Sequence, residues 1–160
     1  RSVGPLFALG TICIDILKGY LPVIVFSHYI EHNLALAQIL FGIFAVLGHV
    51  FPIFYGFKGG KGAATGLGIF MYFEPSLVLP CLLVWTLSLF IFRFVGLSTI
   101  LAFLSLPIFI YLSQGQSITQ LGLFSLILGF LILFTHRQNI NSMLKGTEHR
   151  ASFIQKSDAD

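Results

Sequence analysis

Apolar runs of nearly membrane-spanning length alternate with short polar breaks along the whole chain. Residues 6–26 are apolar apart from Asp15 and Lys18, and a polar loop follows at residues 27–33. Residues 34–50 form a second run, 77–92 a third that ends at Arg93, 95–112 a fourth and 118–135 a fifth. A helix needs about 20 apolar residues to cross a hydrocarbon core of about 30 Å, so each of these runs is a candidate crossing. One further run is different. Ala63–Phe73 offers eleven residues, or roughly 16 Å of helix, too short to span alone. It is expected to run partway, with the preceding loop dipping into the membrane where protein can satisfy its backbone. The pattern predicts an all-α polytopic membrane helix bundle of about six segments, one of them short.

Composition agrees. The 160 residues are 56% hydrophobic and 9% charged, where an ordinary soluble domain carries about 25% charged residues. A single integral membrane domain over residues 1–150 is expected, followed by a polar tail at 151–160. The net charge of +3 is too small to argue for nucleic acid, and no basic run is interleaved with aromatics. Cys13 and Cys81 both lie in apolar runs without zinc-type spacing and read as packing residues. The chain begins at Arg1 without a methionine or a cleavable signal, which suggests a start upstream. Charge bias sets the orientation. With Lys58, Lys61, Arg93, Arg137 and Lys145 on one side, the other keeps Glu31 and Glu74, and the positive side is cytoplasmic. Arg1 and the polar cluster at 136–150 then share that face with residues 58–61.

The densest chemistry is in residues 48–65, GHVFPIFYGFKGGKGAAT, with five glycines, two lysines and a histidine. Bare glycine amides can form a concave nest for anionic oxygens, and Lys58 and Lys61 would add charge to it. The plainer reading is a tight turn or close helix contact flanked by topology-setting lysines. The density of glycine and lysine favours a phosphate cradle. A nucleotide P-loop is excluded, because Tyr55 stands where its first glycine belongs and Gly62 where its magnesium-binding hydroxyl belongs. Asp15 and Lys18, three apart, pair on one helix face, and Lys18 either contacts an anionic substrate or is structural. His28 and His32 have helical metal spacing but no third ligand, and read with Glu31 as solvated loop residues. His136 and Asn139 share a face if helical, where the histidine would orient or deprotonate a hydroxyl and the asparagine donate to an ester or phosphate oxygen. Acidic residues are too few for a two-metal site, so no metal or other cofactor is implied.

These residues carry a resemblance. The stretch at 48–65 resembles the second motif, GHxFPxFxxFKGGKGxAT, of the bacterial acyl-phosphate:glycerol-3-phosphate acyltransferases. His136, Arg137, Asn139, Ile140, Gly146 and Glu148 resemble the third motif, and Arg1, Gly4, Asp15, Lys18 and Gly19 with residues 21–23 resemble the end of the first motif and the helix after it. The family fold has seven membrane helices. Its members carry a serine-glycine-asparagine loop before the position matched by Arg1, and a helix before that, neither of which is in these 160 residues. The resemblance implies acyl transfer from acyl phosphate to the 1-hydroxyl of sn-glycerol 3-phosphate, giving lysophosphatidic acid and phosphate. It implies a multi-pass protein of the bacterial inner membrane with its site facing the cytoplasm, and no obligate protein partner. Arg1, Lys61, His136 and Asn139 would be catalytic. Lys18, His49, Lys58, Gly59, Gly60, Gly62, Thr65 and Glu148 would bind substrate. The competing reading is a transporter of a phosphorylated metabolite, which wants a similar half-buried basic site but is favoured by internal repeats that are not evident.

Overall fold

The computed structural model of the protein describes residues 4–114 and 119–152. Seven α-helices are found among them: α1 (Pro5–Ser27), α2 (Leu34–Val50), α3 (Ala63–Phe73), α4 (Val78–Phe92), α5 (Val95–Ser113), α6 (Gln120–Thr135) and α7 (Arg137–Leu144). Short 3-10 turns at Ile53–Tyr55 and Pro75–Leu77 join α2 to α3 and α3 to α4. The all-α membrane bundle expected from the apolar runs is what forms. Helices satisfy every interior backbone group locally, which lipid requires. Four apolar helical stretches are long enough to cross: Leu6–Ser27, Leu34–Tyr55, Pro75–Phe92 and Val95–Ser113. α6 and α7, bent by 53° against each other, are long and apolar enough only when taken together, as a broken span or a re-entrant pair. α3 is the short segment, with the bounds expected for it. The expected start of the last crossing at Ile118 lies outside the described residues, and the helix there begins at Gln120, after Thr119 Oγ1 accepts from Gly122 N at 3.1 Å.

α3 is the buried centre although it is the shortest of the apolar helices. Thr65, Gly66, Gly68, Ile69 and Phe70 are all buried. Contact with α1 is backbone to backbone: a Cβ on Gly19 would overlap the carbonyl of Thr65, and one on Gly68 the carbonyl of Ile16. Small residues allow this approach, the usual device for packing helices in lipid, where hydrophobicity does not separate protein from solvent. On the other side, Phe103 and Leu128 close over Gly66, and Phe124 stacks obliquely on Phe70 with centroids 5.7 Å apart. The outward faces carry large apolar side chains such as Leu87, Phe90, Ile108 and Phe130, which meet acyl chains. Inside, Ser98 and Thr99 donate to carbonyls one turn back, and Trp85 Nε1 of α4 donates to Thr99 Oγ1 of α5 at 3.1 Å. His28, Glu31 and His32 are exposed in the turn between α1 and α2.

Candidate active site

The stretch after α2 doubles back on the helix it leaves. Pro52 and the 3-10 turn reverse the chain, Gly56 and Phe57 take left-handed conformations (φ 61° and 60°), and residues 59–60 then run beside the end of α2. Gly59 N donates to Val50 O and Gly60 N to His49 O, both at 3.2 Å. The nest expected from bare amides at Gly59 and Gly60 is therefore not what those N–H groups build, because α2's last carbonyls take them. Their glycine character serves contact instead. A Cβ on Gly59 would overlap the His49 carbonyl, and one on Gly60 the His49 imidazole. An element suited to anions is one step further on. Gly62, at φ 83°, turns the chain into α3, and no side chain caps that helix. The first N–H groups of a helix lack intrahelical partners and sit at the positive end of its dipole. Residues 60–64 line a cavity of about 470 Å³.

Three side chains in that cavity are hydrogen-bonded in series. Lys61 Nζ donates to Asn139 Oδ1 at 2.5 Å, and Asn139 Nδ2 donates to Glu148 Oε1 at 2.7 Å. Thr135 Oγ1 donates to the Lys61 carbonyl at 2.9 Å, fastening the end of α6 to the loop. The bend between α6 and α7 lays Asn139 across Gly96 at the start of α5, where an added Cβ would come within 3.0 Å of the Asn139 Cβ. After α7, Gly146 turns at φ 68° and the N–H groups of Thr147 and Glu148 both reach Ser142 O, which aims Glu148 back at Asn139. His136, at the bend, is 3% exposed, and its Nδ1 lies 2.8 Å from Ile132 O. A carbonyl only accepts, so Nδ1 carries the proton of that bond and Nε2 is left for a ligand.

A second cavity, of about 490 Å³, lies across His49 and Gly60, which line both. Lys18, Tyr55, Lys58 and Gly59 are on its far side. Asp15 lines the first cavity and Lys18 the second, with Asp15 Oδ1 3.2 Å from Lys18 Nζ and 3.5 Å from His49 Nδ1. The residues singled out from sequence thus divide. Lys61, His136, Asn139, Gly62 and Glu148 meet in the first cavity, Lys18, Lys58 and Gly59 in the second, and His49 and Gly60 between them. Thr65 is in neither. It is fully buried, its Oγ1 unpartnered among the described residues, and its backbone packs against Gly19. Arg1 lies outside the described residues. Among the lining residues that carry no site role in the sequence reading are Asp15, Gly96 and His149. Asp15 was visible as an acid in an apolar run, but nothing local distinguishes Gly96 or His149.

A bundle of membrane-crossing helices that brings an uncapped helix N-terminus, a lysine and three histidines into one cavity is an integral membrane protein with a pocket suited to an anion. The family model described as "Glycerol-3-phosphate acyltransferase" matches residues 1–146, and the chain belongs to that family and is an acyltransferase. Glycerol-3-phosphate acyltransferase of Aquifex aeolicus is 36% identical over 151 residues, covering 94% of this chain and 77% of the relative. That of Desulfotalea psychrophila is 39% identical over 153 residues, covering 92% and 75%. The crystal structure of PlsY, an integral membrane glycerol 3-phosphate acyltransferase, in its glycerol 3-phosphate form superposes with a TM-score of 0.85 at 34% identity, over 95% of this chain and 74% of PlsY. The family resemblance read from the motifs holds, and the transporter reading gives way to it.

Proposed function

We propose that the chain transfers an acyl group from acyl phosphate to the 1-hydroxyl of sn-glycerol 3-phosphate, releasing lysophosphatidic acid and phosphate on the cytoplasmic side of the inner membrane. The observation that carries this reading is the single cavity in which Lys61, Asn139 and Glu148 are hydrogen-bonded beside the uncapped start of α3 and His136. Both substrates are phosphate esters or anhydrides, and both need an anion site at the edge of the bilayer. The PlsY structures support the choice of acceptor and product, having been determined in glycerol 3-phosphate and lysophosphatidic acid forms.

In the reaction the acceptor hydroxyl oxygen bonds to the acyl carbon, the bond from that carbon to the phosphate oxygen breaks, and the hydroxyl proton leaves on the released phosphate. A mixed anhydride is already activated, so positioning and charge neutralisation supply the acceleration without a covalent enzyme intermediate. Lys61 and the α3 N-terminus take the charge that develops on the leaving phosphate. His136 Nε2 accepts from the attacking hydroxyl, and Asn139 holds Lys61 in line. Lys18 and Lys58 draw the second anionic group. The cytoplasmic assignment is supported by Lys61, Arg93, Arg137 and Lys145 gathering at the end of the bundle away from Glu31 and Glu74.

The test is formation of lysophosphatidic acid from acyl phosphate and labelled glycerol 3-phosphate in membranes containing the full-length protein. One labelled lipid per phosphate released is expected. Product that appears only when an acyl thioester replaces acyl phosphate would overturn the choice of donor.

A further inference from the structure

Asp15 is an acid in the apolar run of α1, and its side chain is 19% exposed. Two helices converge on its Oδ1: Lys18 Nζ of α1 at 3.2 Å and His49 Nδ1 of α2 at 3.5 Å. The His49 side chain is 12% exposed, and its Nε2 edge lies against Gly60, where an added Cβ would collide with it. This ring is the partition between the two cavities.

We infer that Asp15 is a positioning residue that, through His49, makes the site select an acceptor with a secondary hydroxyl beside the reacting one. The inference rests on glycerol 3-phosphate being the acceptor. A carboxylate accepts only, so its pairing with His49 places the proton on Nδ1 and leaves the Nε2 lone pair at the Gly60 edge of the cavity. Nε2 is then the acceptor of the ring. Lys61, the α3 N-terminus and Lys18 are all donors, and the ligand's phosphate oxygens satisfy donors. The hydroxyl that does not react is itself a donor and needs an acceptor, which His49 supplies. Lys18 holds the same carboxylate oxygen, at 3.2 Å.

The experiment compares kcat/KM for glycerol 3-phosphate and for 3-hydroxypropyl phosphate, which keeps the primary hydroxyl and the phosphate but lacks the secondary hydroxyl. The unaltered protein is expected to prefer glycerol 3-phosphate by about tenfold, the worth of one hydrogen bond. In Asp15→Ala and in His49→Ala that preference should fall towards unity, and the double variant should lose no more than either alone. Should Asp15→Ala fail to accumulate in membranes, Asp15→Asn, which keeps the volume, takes its place. Preference retained in these variants, or an equal loss with both acceptors, would overturn the inference and leave Asp15 a structural residue. Absence of lysophosphatidic acid from the unaltered protein with either acceptor would instead overturn the acyltransfer reading beneath it.

Discussion

Lys61 is steered by its partners more than by its own loop. Its ammonium donates to Asn139 and its carbonyl accepts from Thr135, so both its side chain and its backbone are held by the α6–α7 region. Removing it leaves Asn139 Oδ1 without its donor and the cavity without its nearest cation. Lys61→Ala is expected to lower kcat/KM by about 100-fold, the range for losing a charge-assisted contact to developing charge. The protein should still reach the membrane fraction, which immunoblotting of washed membranes checks. Gly60→Ala tests a different property of the same loop. The new methyl meets the imidazole of His49, a ring that can swing away, so the variant should fold. Its expected signature is a raised KM for glycerol 3-phosphate, with a smaller change in kcat, measured in initial rates.

At the level of the helices, α3 owes its place to glycine. It packs against α1 through Gly19 and Gly68, where the atoms in the way of a methyl are backbone carbonyls that cannot rotate aside. Gly68→Ala is therefore expected to force α1 and α3 apart and cost about 1–3 kcal/mol, seen as a lower melting temperature of the detergent-solubilised protein. Gly122 is the contrast. Near the start of α6, the nearest atom to an added Cβ is Thr119 Oγ1 at 3.5 Å, an ordinary contact. Gly122→Ala should be neutral or stabilising by up to about 1 kcal/mol, because alanine is the better helix former. The short length of α3 also has a consequence for chemistry. A helix that crossed completely would place its N-terminus at the bilayer surface beside its neighbours' ends, whereas α3 can begin inside the bundle, where its first N–H groups meet Lys61, His136 and Asn139 in one cavity.

For the molecule as a whole, the basic loops share one end because the short α3 runs back between α2 and α4, so that both of those long helices end on the side of Lys61 and Arg93. Ala151 N donates to Arg93 O at 2.8 Å, and Asn139 rests on Gly96, so the segment after α7 is tied to the turn between α4 and α5. A cysteine substituted for Ser142 should react with a membrane-impermeant maleimide only after the cytoplasmic face is opened, and one substituted for His32 should react in intact cells. The opposite labelling pattern would invert the orientation and remove the site from the cytoplasm. Sequence alone determined the membrane class, the short bounds of α3 and the family motifs of residues 48–65 and 136–148, because apolar run length and the clustering of glycine, lysine and histidine are local properties of a chain in lipid. Only the tertiary structure decided which amides are taken by α2's carbonyls, that Thr65 is packed away while Asp15 and His149 are not, and that Gly96 supports Asn139. Those outcomes depend on where carbonyls and side chains of other helices arrive. The N–H groups of Gly59 and Gly60 look free for an anion until α2, whose last carbonyls are unsatisfied within their own helix, folds back to accept them.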